Sequence, residues 1–86
     1  MTFSSPPNDP VILRLDKSGR RGKIVTLIQG LRLHPEGKET LLRELKQSCG
    51  AGGTLKMGTL EIQGDQRDRV QKELEKRGHQ VKRAGG

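Results

Sequence analysis

The sequence predicts a two-layer α/β (α+β) sandwich in which two helices pack on one face of a mixed sheet of about four to five strands. Three observations lead to this prediction. Short segments of alternating apolar residues indicate strands, and two segments with apolar residues every three or four positions indicate helices. Glycine-rich turns separate these segments. The predicted order is β-β-α-β-β-α-β, and 86 residues suffice for one such domain.

The N-terminal segment and the first two strands differ clearly in composition. Residues 1–10 (MTFSSPPNDP) contain three of the four prolines, which predicts a flexible tail and leaves residues 11–86 as a single domain. Val11–Asp16 (VILRLD) alternates with period two and predicts the first strand. Residues 23–29 (KIVTLIQ) are rich in β-branched side chains and apolar on both faces, which is typical of a central strand.

Residues 38–49 (KETLLRELKQSC) predict the first helix. Their apolar side chains fall on one stripe at helical spacing: Leu41, Leu42, Leu45 and Cys49. Pro35 is expected near the helix start and Gly50 at its end. The structural turn that follows, with Gly50, Gly52 and Gly53, predicts a tight return into a strand, in which glycine supplies positive φ angles.

The next segments predict a β-hairpin and a turn. Residues 54–57 and 59–63 alternate on either side of Gly58, which is a hairpin signal. Gly64 and Asp65 form the turn that closes this hairpin. Asp65 is also the predicted N-cap of the second helix, because a carboxylate there can accept hydrogen bonds from the first backbone N–H groups.

The second helix is predicted from Asp65 to about residue 77. Val70 and Leu74 give it a narrow apolar stripe, and Gly78 is expected to end it. Residues 79–84 (HQVKRA) then predict a last, polar strand at a sheet edge, where its two cations would oppose aggregation.

Charge restricts the classes of partner. Basic residues outnumber acidic ones by 17 to 10, which gives a formal net charge of +7. In a small domain this favours nucleic acid, an acidic protein or a lipid surface. A membrane is the weakest of these, because no long apolar run is present. The single cysteine excludes an internal disulfide. Since residues 1–10 show no signal peptide, we expect a cytoplasmic protein.

The most distinctive motif is the basic segment between the first two predicted strands, residues 17–23 (KSGRRGK). It holds four cations and two glycines in seven residues. Such a run can serve solubility alone, but solubility does not require glycines around the cations. Glycine lets the backbone approach a partner closely, and cations pair with phosphate oxygens. We interpret the segment as a nucleic-acid contact. The candidate residues are Lys17, Arg20, Arg21 and Lys23, with Lys38, Arg43 and Lys46 of the first helix as a possible extension.

Catalytic, metal and cofactor sites are not indicated. A nucleophile needs a base within reach and a third group that orients the base, and neither His34 nor His79 stands in such a pattern. Cys49 is expected to pack as a small apolar side chain at a helix end. The glycine cluster lacks the Lys-Ser/Thr ending of a phosphate-binding loop. We therefore predict no enzyme activity, no metal and no cofactor.

Aromatic residues are nearly absent, and this limits how RNA can be bound. The one aromatic side chain, Phe3, lies in the predicted tail. Proteins that bind single strands stack the bases on aromatic side chains. The sequence therefore favours contacts with the phosphates and with the shape of a structured RNA.

Five segments occur in a characteristic order: residues 18–23 (SGRRGK), 25–30 (VTLIQG), 41–46 (LLRELK), 49–54 (CGAGGT) and 62–67 (IQGDQR). Together they resemble the SUI-type translation initiation factors, which bind the small ribosomal subunit and enforce start-codon choice in eukaryotes and archaea. The resemblance extends over about residues 11–86. It implies an α/β sandwich with two helices on one side of a mixed sheet.

The resemblance also implies a binding surface. In the family the basic loop approaches initiator tRNA and messenger RNA near the decoding site, a role that falls here to Lys17, Arg20, Arg21 and Lys23. Ribosomal RNA contacts from the first helix would fall to Lys38, Arg43 and Lys46. The last motif, with Gln63, Gly64, Asp65 and Arg67, is first a cap and turn. An RNA contact through Arg67 is the second interpretation.

One feature departs from eukaryotic members of the family, and two others resemble the bacterial branch. The connection after Lys56 is very short, whereas eukaryotic members carry a longer loop there. The Cys-Gly-Ala-Gly-Gly form and the Ala84-Gly85-Gly86 ending are also more typical of bacterial members.

We therefore predict a non-enzymatic, monomeric protein, similar to initiation factors, that influences the selection of start codon and initiator tRNA on the small subunit. One alternative is a general structured-RNA-binding protein, or a stress-linked translation regulator with no start-codon role. Another is a basic domain that docks on an acidic protein.

Overall fold

The computed structural model describes residues 10–17 and 22–84. The elements follow the predicted order: β1 (Val11–Asp16), β2 (Val25–Gln29), α1 (Pro35–Cys49), β3 (Gly53–Lys56), β4 (Thr59–Gln63), α2 (Arg67–Lys76) and β5 (Val81–Ala84). The predicted α+β fold is confirmed. The predicted tail lies outside the described residues except for Pro10, and so do Arg20 and Arg21.

The five strands form one mixed sheet in the order β3-β4-β2-β1-β5. β2 is central, as its two-sided apolar pattern predicted, and it is antiparallel to both β1 and β4. β5 pairs with β1 in parallel and forms one edge of the sheet, as predicted. β3 forms the other edge and pairs with β4 through a two-residue hairpin turn.

Both helices pack on the same face of the sheet, and the core lies between the two layers. Cross-strand pairs such as Leu13 with Ile28 join the alternating strands into one apolar layer. Burying each such side chain contributes about 1.5–3 kcal/mol. The buried apolar side chains of the described residues are all aliphatic. The buried set is Val11, Leu13, Ile28, Leu31, Leu41, Leu45, Leu60, Ile62, Val70 and Leu74.

The first helix starts earlier than predicted, because Pro35 already belongs to its first turn. The fixed φ of proline suits this position, and its missing N–H would have no helical partner there. At the other end, Gly50 adopts a left-handed conformation with φ of 62°. The N–H groups of Gly50 and Ala51 donate to the carbonyls of Gln47 and Lys46 at 3.3 and 3.2 Å, which closes the helix as expected from its glycine.

The second helix starts later than predicted, and its N-cap is Gln66 rather than Asp65. The predicted N-cap position is therefore wrong by one residue. The Asp65 carboxylate still accepts the backbone N–H of Arg67, at 3.4 Å, and it pairs more closely with the side chain of Arg67. The C-terminal prediction is confirmed. Gly78 has a φ of 88°, and the N–H groups of Gly78 and His79 donate to the carbonyls of Glu75 and Leu74.

Within the described part of the chain, neither helix combines the length and apolar character that crossing a membrane requires. Residues 10–17 and 22–84 contain no group of three or more His, Cys, Asp or Glu side chains that could hold a metal ion.

Candidate nucleic-acid interface

One end of the sheet collects the ends of several elements, and we call it the loop end. β1 ends at Asp16 and β2 begins at Val25, and these residues are cross-strand partners. Gln63, the last residue of β4, pairs with Val25 on its other side. α1 returns to the sheet at the same end, because the N–H of Gln63 donates to the carbonyl of Gly52 at 2.9 Å. Among the described residues, the loop end therefore comprises Lys17, residues 22–23, turn 64–66 and the last turn of α1.

A buried threonine ties turn 64–66 to the central strand. Thr26 is fully buried, and its hydroxyl donates to the carbonyl of Gly64 at 2.7 Å. The same oxygen accepts the N–H of Gln66 at 2.8 Å. A third bond, 2.7 Å from the N–H of Gly64 to the carbonyl of Ile24, closes the tie beside the basic segment. The turn and the start of β2 are thus one hydrogen-bonded unit.

Thr26 is not among the site residues predicted from the sequence. The signal was nonetheless present, because period-two alternation places Thr26 beside Ile28 on the core face of an otherwise apolar strand. A buried hydroxyl needs hydrogen-bond partners, so a threonine there predicts that a backbone segment approaches. The sequence does not show which segment that is.

Arg67 is held at the loop end by Asp65. Its Nε donates to one carboxylate oxygen at 2.9 Å and its Nη2 to the other at 3.0 Å. These hydrogen bonds lower the pKa of Asp65 and raise the pKa of Arg67. Because a guanidinium has five N–H donors, Arg67 keeps donors for a phosphate while its position is fixed. Asp65 therefore orients Arg67 and also reduces the local positive charge.

The basic segment joins the sheet through exposed cations. Lys17 follows the last residue of β1, and Lys23 lies just before β2. Gly22 adopts a φ of 71°, which glycine reaches without strain. Arg20 and Arg21 lie between these points in sequence, and their placement is outside the described residues. Of the four predicted RNA-binding residues of this segment, Lys17 and Lys23 therefore lie at the loop end.

The predicted cations of α1 do not all lie at this end. Lys46 is in the last turn of the helix, which meets the loop end. Arg43 is exposed, and it shares a face with Lys46 because the two are three positions apart. Lys38 lies near the opposite end of the helix, where its Nζ donates to the carbonyl of Gly58 at 3.1 Å. The structure thus separates Lys38 from the basic segment and gives it a partner in the β3–β4 turn.

The three predicted turn glycines have different geometries. Gly50 adopts the predicted positive φ, whereas Gly52 and Gly53 do not. A Cβ at Gly53 would overlap the carbonyl oxygen of Glu61 and lie 2.9 Å from Cδ1 of Ile62. Glycine is needed at position 53 by close approach, not by φ. A Cβ at Gly52 would meet only the Gln63 amide at ordinary contact distance, 3.4 Å.

Arg77, at the end of α2, and Arg83, on β5, are paired within the fold. Arg77 contacts Glu44 and donates to Glu73 at 3.1 Å, which lowers the pKa of Glu73 and links the two helices. Arg83 donates to Asp68 at 2.5 Å and to Gln71 at 2.8 Å. These contacts tie α2 to α1 and to β5.

Cys49 and His34 do not form a catalytic pair. His34 and Cys49 lie at opposite ends of α1, about 22 Å apart for a helix of this length. Cys49 packs against the core, and burial raises the pKa of its thiol. A raised pKa keeps the thiol protonated, which lowers its nucleophilicity.

Comparison with known proteins shows the family. The family model described as translation initiation factor SUI1 matches residues 7–80. The uncharacterized protein YciH of Escherichia coli is 46% identical over 82 residues, which cover 94% of this chain and 76% of YciH. An uncharacterized protein of Synechocystis is 46% identical over 81 residues, covering 94% of this chain and 73% of that protein. These relatives agree with the resemblance to the bacterial branch.

An archaeal relative carries a translation name. The protein translation factor SUI1 homolog of Ignicoccus hospitalis is 43% identical over 67 residues, which cover 78% of this chain and 64% of that protein. Together with the family match, which extends over most of the chain, this similarity connects the fold to translation initiation factors. The chain belongs to the SUI1 family of translation initiation factors.

Proposed function

We propose that this protein is a non-enzymatic translation factor that binds the small ribosomal subunit near its decoding site. The loop end contacts ribosomal RNA, and the basic segment acts on the selection of start codon and initiator tRNA. One observation carries the proposal. Thr26 and Gly64 fix the turn that holds Arg67 directly beside the segment that holds Lys23.

The physical mechanism is electrostatic. Phosphate contacts position a protein on RNA, and cations on a fixed frame select the phosphate arrangement that matches them. Around the loop end, cations outnumber the carboxylates of Asp16 and Asp65. A correctly placed tRNA backbone would be stabilised there, and a crowded, mispaired arrangement would be disfavoured. The partners are then ribosomal RNA, initiator tRNA and messenger RNA, bound by a monomer in the cytoplasm.

The first test is co-sedimentation of the full chain with purified small subunits at near-physiological salt. An excess of generic structured RNA serves as competitor. Saturable binding that persists in the presence of the competitor supports specific binding to the small ribosomal subunit. If the competitor RNA displaces the protein from the small subunit, the proposal is contradicted, because the basic residues would then bind any phosphate backbone.

A charge-matched pair of variants tests the basic segment. Arg20→Ala with Arg21→Ala should lower the slope of log affinity against log salt by about 1.4–1.8, since each lost phosphate contact removes roughly 0.7–0.9. The control is Lys72→Ala with Lys82→Ala, which removes the same charge from exposed sites on α2 and β5. The control should change the slope much less. Equal effects from both pairs would show that net charge alone is responsible.

The start-codon role needs a separate assay. In a reconstituted initiation reaction, the Arg20→Ala, Arg21→Ala variant should lose discrimination against non-standard start codons while its fold stays intact. Unchanged discrimination would remove the segment from that mechanism.

A ribosome-bound regulator without a start-codon role is the second candidate, and one observation favours it. The β3–β4 connection is the two-residue turn Met57-Gly58, with φ of 50° and 82°. Both angles suit the tightest type of hairpin turn. This chain therefore lacks the longer loop that eukaryotic members carry at this place. Subunit binding without any effect on start-codon choice would support this candidate.

A further inference from the structure

A cavity of about 270 Å³ lies at the loop end, where β2 begins and β4 ends. Its lining residues are Lys23, Ile24, Val25, Gln63 and Gly64. A second hollow of about 170 Å³ shares Val25 and Gln63 and extends toward β3. The proposed function uses the cations of this end but gives the cavity no role.

The cavity combines apolar and polar groups in a way that the core does not require. Ile24 is 37% exposed, and only Met57 among the other large apolar side chains of the described residues is as exposed. Gln63 is also exposed, and no described residue forms a hydrogen bond with its side-chain amide. Lys23 lines the same cavity. An apolar surface, an amide and an ammonium group therefore line one cavity.

The walls of the cavity are fixed by hydrogen bonds. Val25 and Gln63 are cross-strand partners, and the N–H of Gly64 donates to the carbonyl of Ile24 at 2.7 Å. From the core face of the sheet, the Thr26 hydroxyl also holds Gly64 in place by its 2.7 Å hydrogen bond to the Gly64 carbonyl. The ligand therefore does not have to order these elements when it binds, which lowers the cost of binding.

We propose that this cavity binds one unpaired nucleobase of the RNA, while Lys23 pairs with an adjacent phosphate. This inference rests on the proposed function and names the part of the RNA that the loop end recognises. The volume is below the range of about 300–1,000 Å³ that is typical of pockets for drug-sized ligands. It suits a single planar base better than a larger molecule.

The lining residues match the parts of a nucleotide. The flat face of the base packs on Ile24 and Val25, which replaces the aromatic stacking that this chain cannot offer. The Gln63 amide presents one donor group and one acceptor, a pair that can bind N7 and N6 of adenine in a bidentate manner. An unpaired uracil also offers a donor and an acceptor, but adenine presents the larger flat face to Ile24 and Val25, so the cavity is expected to prefer adenine to uracil.

The probes for the test are four RNA hairpins of identical stem: fully paired, with one bulged adenosine, with one bulged uridine, and with an abasic bulge. Affinities for the full-length protein are measured by fluorescence anisotropy at near-physiological salt. The adenosine bulge should bind at least about fivefold more tightly than the paired hairpin, the lower limit for a bidentate base contact. The abasic bulge keeps the bent backbone of a bulge but has no base to enter the cavity. It should therefore bind no more tightly than the paired hairpin, which would show that the base, and not the bend, is recognised.

The variants isolate the cavity from the phosphate contacts. Gln63→Ala and Ile24→Thr should abolish the preference for the adenosine bulge and leave affinity for the paired hairpin within twofold. Gln80→Ala is the matched control, an exposed glutamine at the opposite end of the sheet, and it should keep the preference. A preference that persists in Gln63→Ala, or that the abasic bulge shares, overturns the inference. Equal binding of the paired and adenosine-bulged hairpins by the unmodified protein overturns it as well.

Failure of this inference and failure of the proposed function give different results. If the unmodified protein shows no bulge preference but still binds small subunits against competitor RNA, only the base-binding site is wrong. If the protein does not bind small subunits, the proposed function itself is wrong.

Discussion

The hydroxyl of Thr26 accepts a 2.8 Å hydrogen bond from the N–H of Gln66, a residue forty positions later in the chain. Through its 2.7 Å bond to the carbonyl of Gly64, the same hydroxyl satisfies a second backbone group of the turn. The central strand thus positions the turn that leads into α2, and with it Arg67. The geometry of the candidate interface depends on one buried side chain that cannot itself touch RNA.

Thr26→Val tests this dependence with almost unchanged volume. The variant removes the hydroxyl and leaves the carbonyl of Gly64 and the N–H of Gln66 without that partner. We expect unfolding to become easier by about 1–3 kcal/mol, the cost of leaving a buried polar group unsatisfied. Urea-induced unfolding measures the loss, and hydrogen exchange should show that the Gln66 amide has lost protection.

The control is Thr26→Ser, which keeps the hydroxyl and removes a methyl group. Its stability should fall by about 0.8 kcal/mol, the contribution of one buried carbon, and the Gln66 amide should stay protected. If the two variants expose this amide equally, the hydroxyl does not hold the turn.

The fold was predictable because local patterns agree with the tertiary arrangement. Three local patterns indicate directly which side chains are buried: the alternation in β1, the two-sided apolar pattern of β2 and the leucine stripe of α1. Glycines at helix ends report backbone geometry, as Gly78 does. Exact boundaries were less predictable, because contacts from distant residues determine them. The N-cap of α2 is Gln66 and not the predicted Asp65, whose carboxylate pairs with the side chain of Arg67.

The candidate site was predictable in its charges but not in its arrangement. Sequence alone identifies the cations of segment 17–23, since their spacing with glycine is local. It does not show that Lys38 bonds to Gly58 twenty positions away, or that Thr26 holds a turn almost forty positions away. Such contacts depend on sheet order and register, which local patterns do not determine.

Gly53 should tolerate no side chain. Gly53→Ala would place a Cβ against the Glu61 carbonyl oxygen and 2.9 Å from Cδ1 of Ile62. Overpacking of this kind costs about 1–3 kcal/mol, and thermal unfolding should show a lower midpoint. Gly52→Ala is the neighbouring control, where the new Cβ meets only ordinary contacts at 3.4 Å. It should be neutral or stabilising by up to about 1 kcal/mol. Equal destabilisation by both variants would refute a specific role for position 53.

The pair formed by Asp65 and Arg67 should make stability depend on pH in the acid range. Since the hydrogen bonds from Arg67 lower the pKa of Asp65 in the folded protein, the pair contributes stability at pH above the unfolded value, about 3.9. That contribution is lost as the pH falls through the lowered folded value. Urea unfolding across the acid range should therefore show a shallower pH dependence for Asp65→Asn than for the unmodified protein.

Arg67→Gln approaches the same pair from its other partner. It should raise the pKa of Asp65 toward its ordinary value, because the hydrogen bonds from Arg67 are the largest cause of the lowering, and it should flatten the pH dependence in the same direction. The double variant should add nothing to either single change. A double variant with a clearly larger effect would mean that the two side chains act on stability independently.

Lys38 and Lys46 lie on the same helix at opposite ends, and they should differ in their effect on RNA binding. Lys46→Met removes a cation from the loop end and should lower the salt slope of small-subunit binding by roughly 0.7–0.9, the value of one phosphate contact. Lys38→Met removes the same charge but breaks the 3.1 Å bond to the Gly58 carbonyl. It should loosen the β3–β4 hairpin, visible as faster amide exchange there, and leave the slope nearly unchanged. Co-sedimentation at several salt concentrations measures both slopes. Equal loss of slope in the two variants would move the contact surface from the loop end to the whole exposed face of α1, and would restore Lys38 to the RNA-binding set that the sequence predicted.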